Sequence, residues 1–338
     1  MPVLQVENLT KDYGFNRGVF DVTFNVEKGE VYGFLGPNGA GKTTTIRHIM
    51  GFSRPHKGHT YVNGQNSWKH YHQIQRSLGY LPGEIALPER LTGTQFIKMM
   101  ADLRKMTDMT YTQELIKRFE LEPAGGLKRM ALGMKRKLAI VTAFMHDPDI
   151  LVLDEPTSGL DPIMQDTFIE FIKSEKSRGK TILLSSHIFS EVDATCDKIS
   201  IIKDGRLVSS FVADDLRHSE SKTYKLEFSS KTEFERFIHD AKQSRVPGSC
   251  DINIGSAASN TTGNDAPETG FGSSGVISGS FEIASTKEYR NQVHIHVDDV
   301  NVNEFIAIIS GYGLKFFTEI KFTLEDYFMK FYDKRQVV

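Results

Sequence analysis

Apolar and polar positions alternate over Leu4–Leu9 and Phe20–Val26, a period of two that predicts half-buried strands, and Thr60-Tyr-Val-Asn-Gly64 reads as the end of a hairpin. Short continuous apolar runs follow a different rule. Glu30-Val-Tyr-Gly-Phe-Leu35, Ile150-Leu-Val-Leu153, Thr181-Ile-Leu-Leu184 and Lys198–Ile202 are separated by helical stretches, which predicts buried parallel strands joined by crossover helices. Lys42–Met50 places Ile46, Ile49 and Met50 at helical spacing. Between Leu91 and Phe119 the period is again helical, with Phe96, Met99, Met100 and Leu103 predicted on one buried face and Leu115, Ile116 and Phe119 on another. This reads as a helical insertion, about residues 84–145, between two halves of an α/β core. Lys203-Asp-Gly-Arg-Leu207 predicts a turn between strands, and the composition then changes. Tyr224–Phe228, Gln292–Val297 and Leu314–Ile320 read as strands. Thr232–Lys242, Asn303–Ile309 and Thr323–Tyr332 read as helices. A Gly-, Ser-, Asn- and Thr-rich stretch predicts a flexible insertion at about 246–280. The expected domains are residues 1–217, an α/β domain, and 218–338, a small α+β accessory domain.

Composition narrows the picture modestly. The 338 residues suit two domains, and a formal charge of −2 offers no electrostatic argument for a nucleic-acid partner. Cys196 and Cys250 have no metal or redox spacing, which suggests free thiols in a reducing cytoplasm. The N-terminus lacks a charged segment followed by an apolar one, and no apolar run approaches the roughly 18–20 residues of a membrane helix. A soluble chain is expected, with any membrane role exercised through a partner.

Chemistry concentrates in one stretch. Gly36-Pro-Asn-Gly-Ala-Gly-Lys-Thr-Thr44 satisfies G-x-x-x-x-G-K-[ST] between a predicted strand and a predicted helix, the context a phosphate cradle needs. Glycines let the backbone wrap an anion with N–H groups around Gly39 and Gly41 pointing inward, and Lys42 supplies a compact cation for the β and γ oxygens. Thr43 offers a hydroxyl to Mg²⁺, and the following helix aims its positive end at the same charge. The apolar strand 150–153 runs into Asp154-Glu155, where Asp154 suits a Mg²⁺ ligand and Glu155 a general base for an in-line water. His187 follows the strand 181–184 and should emerge at the same sheet edge as Asp154, where open α/β sheets bind ligands. His294 and His296 share a strand face, but two ligands make a poor metal site, and a solvated face is expected.

The set Gly36–Thr44, Leu153-Asp-Glu-Pro-Thr-Ser-Gly-Leu-Asp161 and Ser185-Ser-His187 resembles, in order, the nucleotide-binding subunit of an ABC transporter over about residues 1–217. The resemblance implies a P-loop NTPase of ABC type: a mixed β layer plus a parallel sheet with helices and an inserted helical subdomain. It implies an ATPase head, using ATP and Mg²⁺, that dimerises around two nucleotides. The ATP cradle would be Gly36, Pro37, Asn38, Gly39, Ala40, Gly41, Lys42, Thr43 and Thr44. In that family the histidine matching His187 contacts the γ-phosphate and orients the catalytic glutamate, and the aspartate matching Asp161 communicates across the dimer. An aromatic residue near the N-terminus stacks on adenine; Tyr13 stands at the matching place, with Phe15 as its rival.

Two segments depart from the family pattern. Its Leu-Ser-Gly-Gly-Gln signature ends twenty positions before the metal aspartate, which aligns it with Met130-Ala-Leu-Gly-Met134 and not with Ala124-Gly-Gly-Leu-Lys128. Ala131 has no hydroxyl for a γ-phosphate and Leu132 replaces a glycine, so binding across a dimer is expected to weaken. In Gly79-Tyr-Leu-Pro-Gly-Glu84, Gly83 stands where most relatives carry a glutamine, with Glu84 either its substitute or a solvated carboxylate. Leu81-Pro-Gly-Glu84 and Phe322-Thr-Leu-Glu-Asp-Tyr-Phe328 resemble segments of a bacterial exporter branch. The expected function is ATP hydrolysis that powers a separate transmembrane permease, exporting a drug, peptide or lipid-like compound, from a position on the inner face of the membrane. Alternatives are a soluble ABC-type ATPase acting on ribosomes or DNA, and an impaired head of a heterodimeric transporter.

Overall fold

The computed structural model describes residues 2–217, 221–242, 281–287, 290–320 and 324–332. Two compact units are distinguished: Met1–Asp215 with Phe328–Val338, and Leu216–Tyr327. The division thus falls two residues before the expected 217, and residues 328–332 group with the first unit. The expected flexible insertion at 246–280 lies outside the described residues.

In the first unit, β1 (Leu4–Asp12) and β2 (Gly18–Val26) form a hairpin, β3 (Val31–Leu35) runs into α1 (Lys42–Ile49), and β4 (Lys57–Val62) turns into β5 (Gln65–Asn66). Next come α2 (Tyr71–Ser77), β6 (Leu78–Leu81), α3 (Gly93–Leu103), α4 (Thr110–Arg118) and α5 (Leu132–Phe144). The unit continues with β7 (Ile150–Asp154), α6 (Pro162–Ser177), β8 (Thr181–Ser186), α7 (Phe189–Thr195), β9 (Lys198–Lys203) and β10 (Arg206–Val212), and α8 (Ala213–Arg217) spans its boundary. One sheet is antiparallel, ordered β2-β1-β4-β5, and the other is ordered β10-β9-β3-β8-β7-β6. In the second sheet β9, β3, β8, β7 and β6 are parallel, and β10 is antiparallel to β9. Every residue of β3, β7 and β8 is buried, as expected of strands covered on both faces. The parallel register aligns Leu35 with Ser186 and Asp154 with Ser185, so the strand ends that precede the cradle, the carboxylates and His187 share one edge.

The helical insertion differs from its expected packing. α3 buries Gly93, Ile97 and Ala101, while Phe96, Met99 and Met100 are half-buried and Leu103 is 71% exposed. At Gly93 the chain at Pro123 lies against this stripe: a Cβ there would stand 2.7 Å from the Pro123 carbonyl oxygen. Leu115 and Phe119 are buried as predicted, and Ile116 is half-buried.

The second unit runs β11 (Ser221–Phe228), α9 (Lys231–Lys242), β12 (Phe281–Lys287), β13 (Gln292–Asp298), α10 (Val302–Ile309) and β14 (Leu314–Ile320), with α11 (Leu324–Tyr332) crossing its boundary. Its four strands are antiparallel in the order β12-β13-β11-β14, a β-α-β-β-α-β arrangement of ferredoxin-like type. β12 had no counterpart in the sequence pattern. The core comes from alternate positions of β11 and β13, including Tyr224, Leu226, Phe228 and Ile295, packed with Phe237 and Phe305. On the other face His296 Nδ1 lies 2.6 Å from Thr223 Oγ1. Among the described residues no group of three or more His, Cys, Asp or Glu side chains is placed to hold a metal, and no helix is long and apolar enough to cross a membrane.

Candidate active site

The buried strand β3 ends at Leu35, and the chain loops through Gly36–Gly41 before α1 begins at Lys42. Gly41 takes φ +112°, and a Cβ there would meet Val19 Cγ1 at 2.7 Å, so glycine is required by both backbone and space. Lys42 is only 4% exposed; its Nζ donates to the carbonyl oxygens of Gly36 (2.6 Å) and Pro37 (3.1 Å) and pairs with Glu155 Oε1 at 3.1 Å. The loop opens onto a cavity of about 760 Å³ lined by Asn38, Gly39, Gly41, Lys42, Thr43 and Thr44. Gly36 and Ala40 are buried behind that wall, and Pro37 contributes its carbonyl. Tyr13 is 55% exposed and lines the cavity; its rival Phe15 is 99% exposed and is not among the lining residues.

The carboxylates face this loop from β7. Asp154 is fully buried, accepting from Thr43 Oγ1 at 2.7 Å and from Ser185 Oγ at 2.5 Å. Glu155 has a left-handed backbone, φ +48°, uncommon outside glycine, and its N–H donates to the Ser185 carbonyl at 3.0 Å. This turn directs its Oε1 toward Lys42 and its Oε2 to within 3.4 Å of His187 Nδ1. The sheet edge therefore brings Lys42, Thr43, Asp154, Glu155 and His187 together, with Glu84 and Ser158 on the cavity wall. Such a group can hold an anion, polarise it and take a proton from a nearby water.

The departures from the family pattern are also visible. Ala131 caps α5 in an extended conformation without any side-chain hydrogen bond, and the neighbouring Leu132 is exposed. A Cβ on Gly83 would lie 3.0 Å from Asp154 Oδ2, so this backbone sits directly against the carboxylate. Asp161 caps α6, accepting from the Met164 N–H at 3.0 Å.

Three contributors were not singled out from the sequence. Ser185 fixes Asp154. Ser186 Oγ donates to Glu191 Oε2 (2.6 Å) and accepts from the Ile188 N–H (2.9 Å), bracing the turn that carries His187; burial pushes the Glu191 carboxyl up to about 7. Arg136 donates to three backbone carbonyls around the cavity. Two of these were in view as Ser185-Ser-His187, whereas an arginine inside Lys135-Arg-Lys137 has the local signature of a solvated face.

A family profile described as "ABC transporter" matches residues 19–158. The bacitracin transport ATP-binding protein BcrA of Bacillus licheniformis is 34% identical over 232 residues, 68% of this chain and 76% of the relative. The ABC transporter ATP-binding protein YhcH of Bacillus subtilis (strain 168) is 34% identical over 225 residues, 66% of this chain and 74% of the relative. A solved structure, described as the ATP-binding subunit of an ABC transporter, is 33% identical with a TM-score of 0.59, covering 64% of this chain and 92% of its own.

Proposed function

This chain belongs to the ATP-binding proteins of ABC transporters and is an ABC-type ATPase, and on that premise we propose that it works as the motor of a separate membrane permease, exporting a drug, peptide or lipid-like compound. The observation that carries the catalytic part is that Lys42, Thr43 and Glu155 line one cavity, with Asp154 bonded to Thr43 behind it and His187 within 3.4 Å of Glu155. In this reading the loop N–H groups and Lys42 bind the β and γ phosphates, while Tyr13 offers its ring to the adenine. Thr43 and Asp154 fit Mg²⁺, being hard oxygen donors already 2.7 Å apart, and the ion bound there would neutralise charge on the phosphate oxygens. Glu155 takes the proton of the attacking water, and His187, against Glu155 Oε2, holds the carboxylate in line.

Membrane work is supported by the transport function in the name of the bacitracin relative and by the exporter-like segments of the sequence. A cleft of about 750 Å³ at the C-terminal end of α3, with exposed Leu103 beside Arg76, Arg104 and Met106, offers a permease a docking place adjoining the helical insertion. The chain would then act on the cytoplasmic face of the membrane. Two heads would close over two ATP molecules through the exposed α5 terminus at Leu132 and the Asp161 turn. Ala131, with no hydroxyl to offer, favours a second arrangement in which the other head is a different chain with a complete signature segment.

ATP hydrolysis across protein concentration, measured beside Glu155→Gln, tests this reading. The variant should retain ATP binding and lose turnover; retained hydrolysis would overturn the assignment. Activity rising more than linearly with concentration supports a homodimer. Binding without turnover in the wild type points to the mixed pair.

A further inference from the structure

Arg136 lies one turn into α5, is 3% exposed, and donates from each of its three nitrogens. Nε donates to the Ser158 carbonyl (3.0 Å), Nη1 to the Pro82 carbonyl (2.9 Å) and Nη2 to the Gly83 carbonyl (2.7 Å). A buried guanidinium is costly unless its donors find partners, and here each of its three nitrogens has a carbonyl partner, drawn from two separate loops. Both loops are walls of the nucleotide cavity: Pro82 and Gly83 follow β6, and Ser158 follows β7. Each wall also touches the chemistry directly. Gly83 stands against the Asp154 carboxylate, and the Ser158 N–H donates to the Glu155 carbonyl at 3.1 Å, closing the turn on which Glu155 sits. Burial pushes the Arg136 pKa down, and the charges of Asp154 and Glu155 oppose that shift.

We propose that Arg136 is a positioning residue for hydrolysis, tying the start of α5 to the two loops that set Asp154 and Glu155, so that a displacement of α5 moves both walls of the cavity together. The inference rests on the functional reading above. Gly83 has no side chain of its own to fix its place, and the guanidinium fork supplies that constraint from behind. The same helix begins at the exposed Ala131-Leu132 end, so whatever docks there gains mechanical access to the carboxylates through a single side chain.

The test uses the full chain, with its permease where turnover requires it, and compares Arg136→Gln and Arg136→Lys with wild type and with Glu155→Gln. Steady-state hydrolysis gives kcat and KM, and a fluorescent ATP analogue reports binding. Misplacement of a reacting group by about 1 Å costs up to roughly a hundredfold in rate, so Gln should lower kcat by about ten- to a hundredfold with analogue affinity within about twofold of wild type. Lys keeps the charge but reaches fewer carbonyls, and should recover part of kcat. Unchanged kcat in folded variants, or parallel loss of kcat and binding in both, would overturn the proposal. If Gln does not fold, the same two criteria apply to Lys alone. Hydrolysis that survives Glu155→Gln would overturn the functional reading, and this inference with it.

Discussion

Glu191 sits behind the His187 turn, buried, with its carboxyl pushed up to about 7 from an ordinary 4.5, chiefly by burial. A carboxyl whose folded value exceeds its unfolded one holds more protons folded than unfolded across that interval. Its contribution therefore declines as pH rises from about 4.5 to about 7 and stays flat above. Glu191→Gln removes this dependence while leaving an amide oxygen to accept from Ser186. We expect the variant to be more stable than wild type at pH 8, on the order of 2 kcal/mol, with the difference shrinking toward pH 5. Melting temperature across that range checks it, and equal shifts at both ends would contradict the carboxyl's raised value. The residues of the cradle were legible in the sequence because one contiguous stretch supplies them. Glu191 was not, since nothing local marks a carboxylate in the first turn of α7 as buried.

At the scale of elements, Asp161 caps α6. Its side chain accepts the Met164 N–H, with Pro162 in the first position of α6 where a missing N–H costs nothing. Asp161→Ala should cost about 1 kcal/mol in denaturant unfolding, and Asp161→Asn much less because asparagine is an equivalent cap. A loss of turnover in the Asn variant at unchanged stability would isolate a role across the dimer from the cap itself. The buried strands β3, β7 and β8 were readable as apolar runs because burial on both faces leaves no alternation to misread. The face of α3 was not. Its capping box, Thr92 with Gln95, starts the helix, but the neighbour that packs against it decides which stripe is buried.

The whole molecule holds two units, each with its own core. Phe237, fully buried between Phe228 and Tyr312, belongs to the second. Phe237→Ala should destabilise that unit by about 3–5 kcal/mol, giving an earlier calorimetric transition while ATP affinity stays at its wild-type value. A single shifted transition with weakened nucleotide binding would show instead that the units unfold as one. By itself the sequence determined the glycine-rich loop between strand and helix, the carboxylate pair at the end of an apolar strand, the alternating strands and the change of composition near residue 217. Each of these is a short-range property, in which spacing along one segment dictates backbone conformation or periodic burial. Only the tertiary structure decided that Ser185 holds Asp154, that Arg136 ties residues 82, 83 and 158, and that Leu103 is exposed while Ala101 is buried. The first two depend on the order β3-β8-β7-β6, which sets side by side strands far apart in the chain, and the third on the chain at Pro123 against α3; partners so distant in sequence leave no local pattern to read.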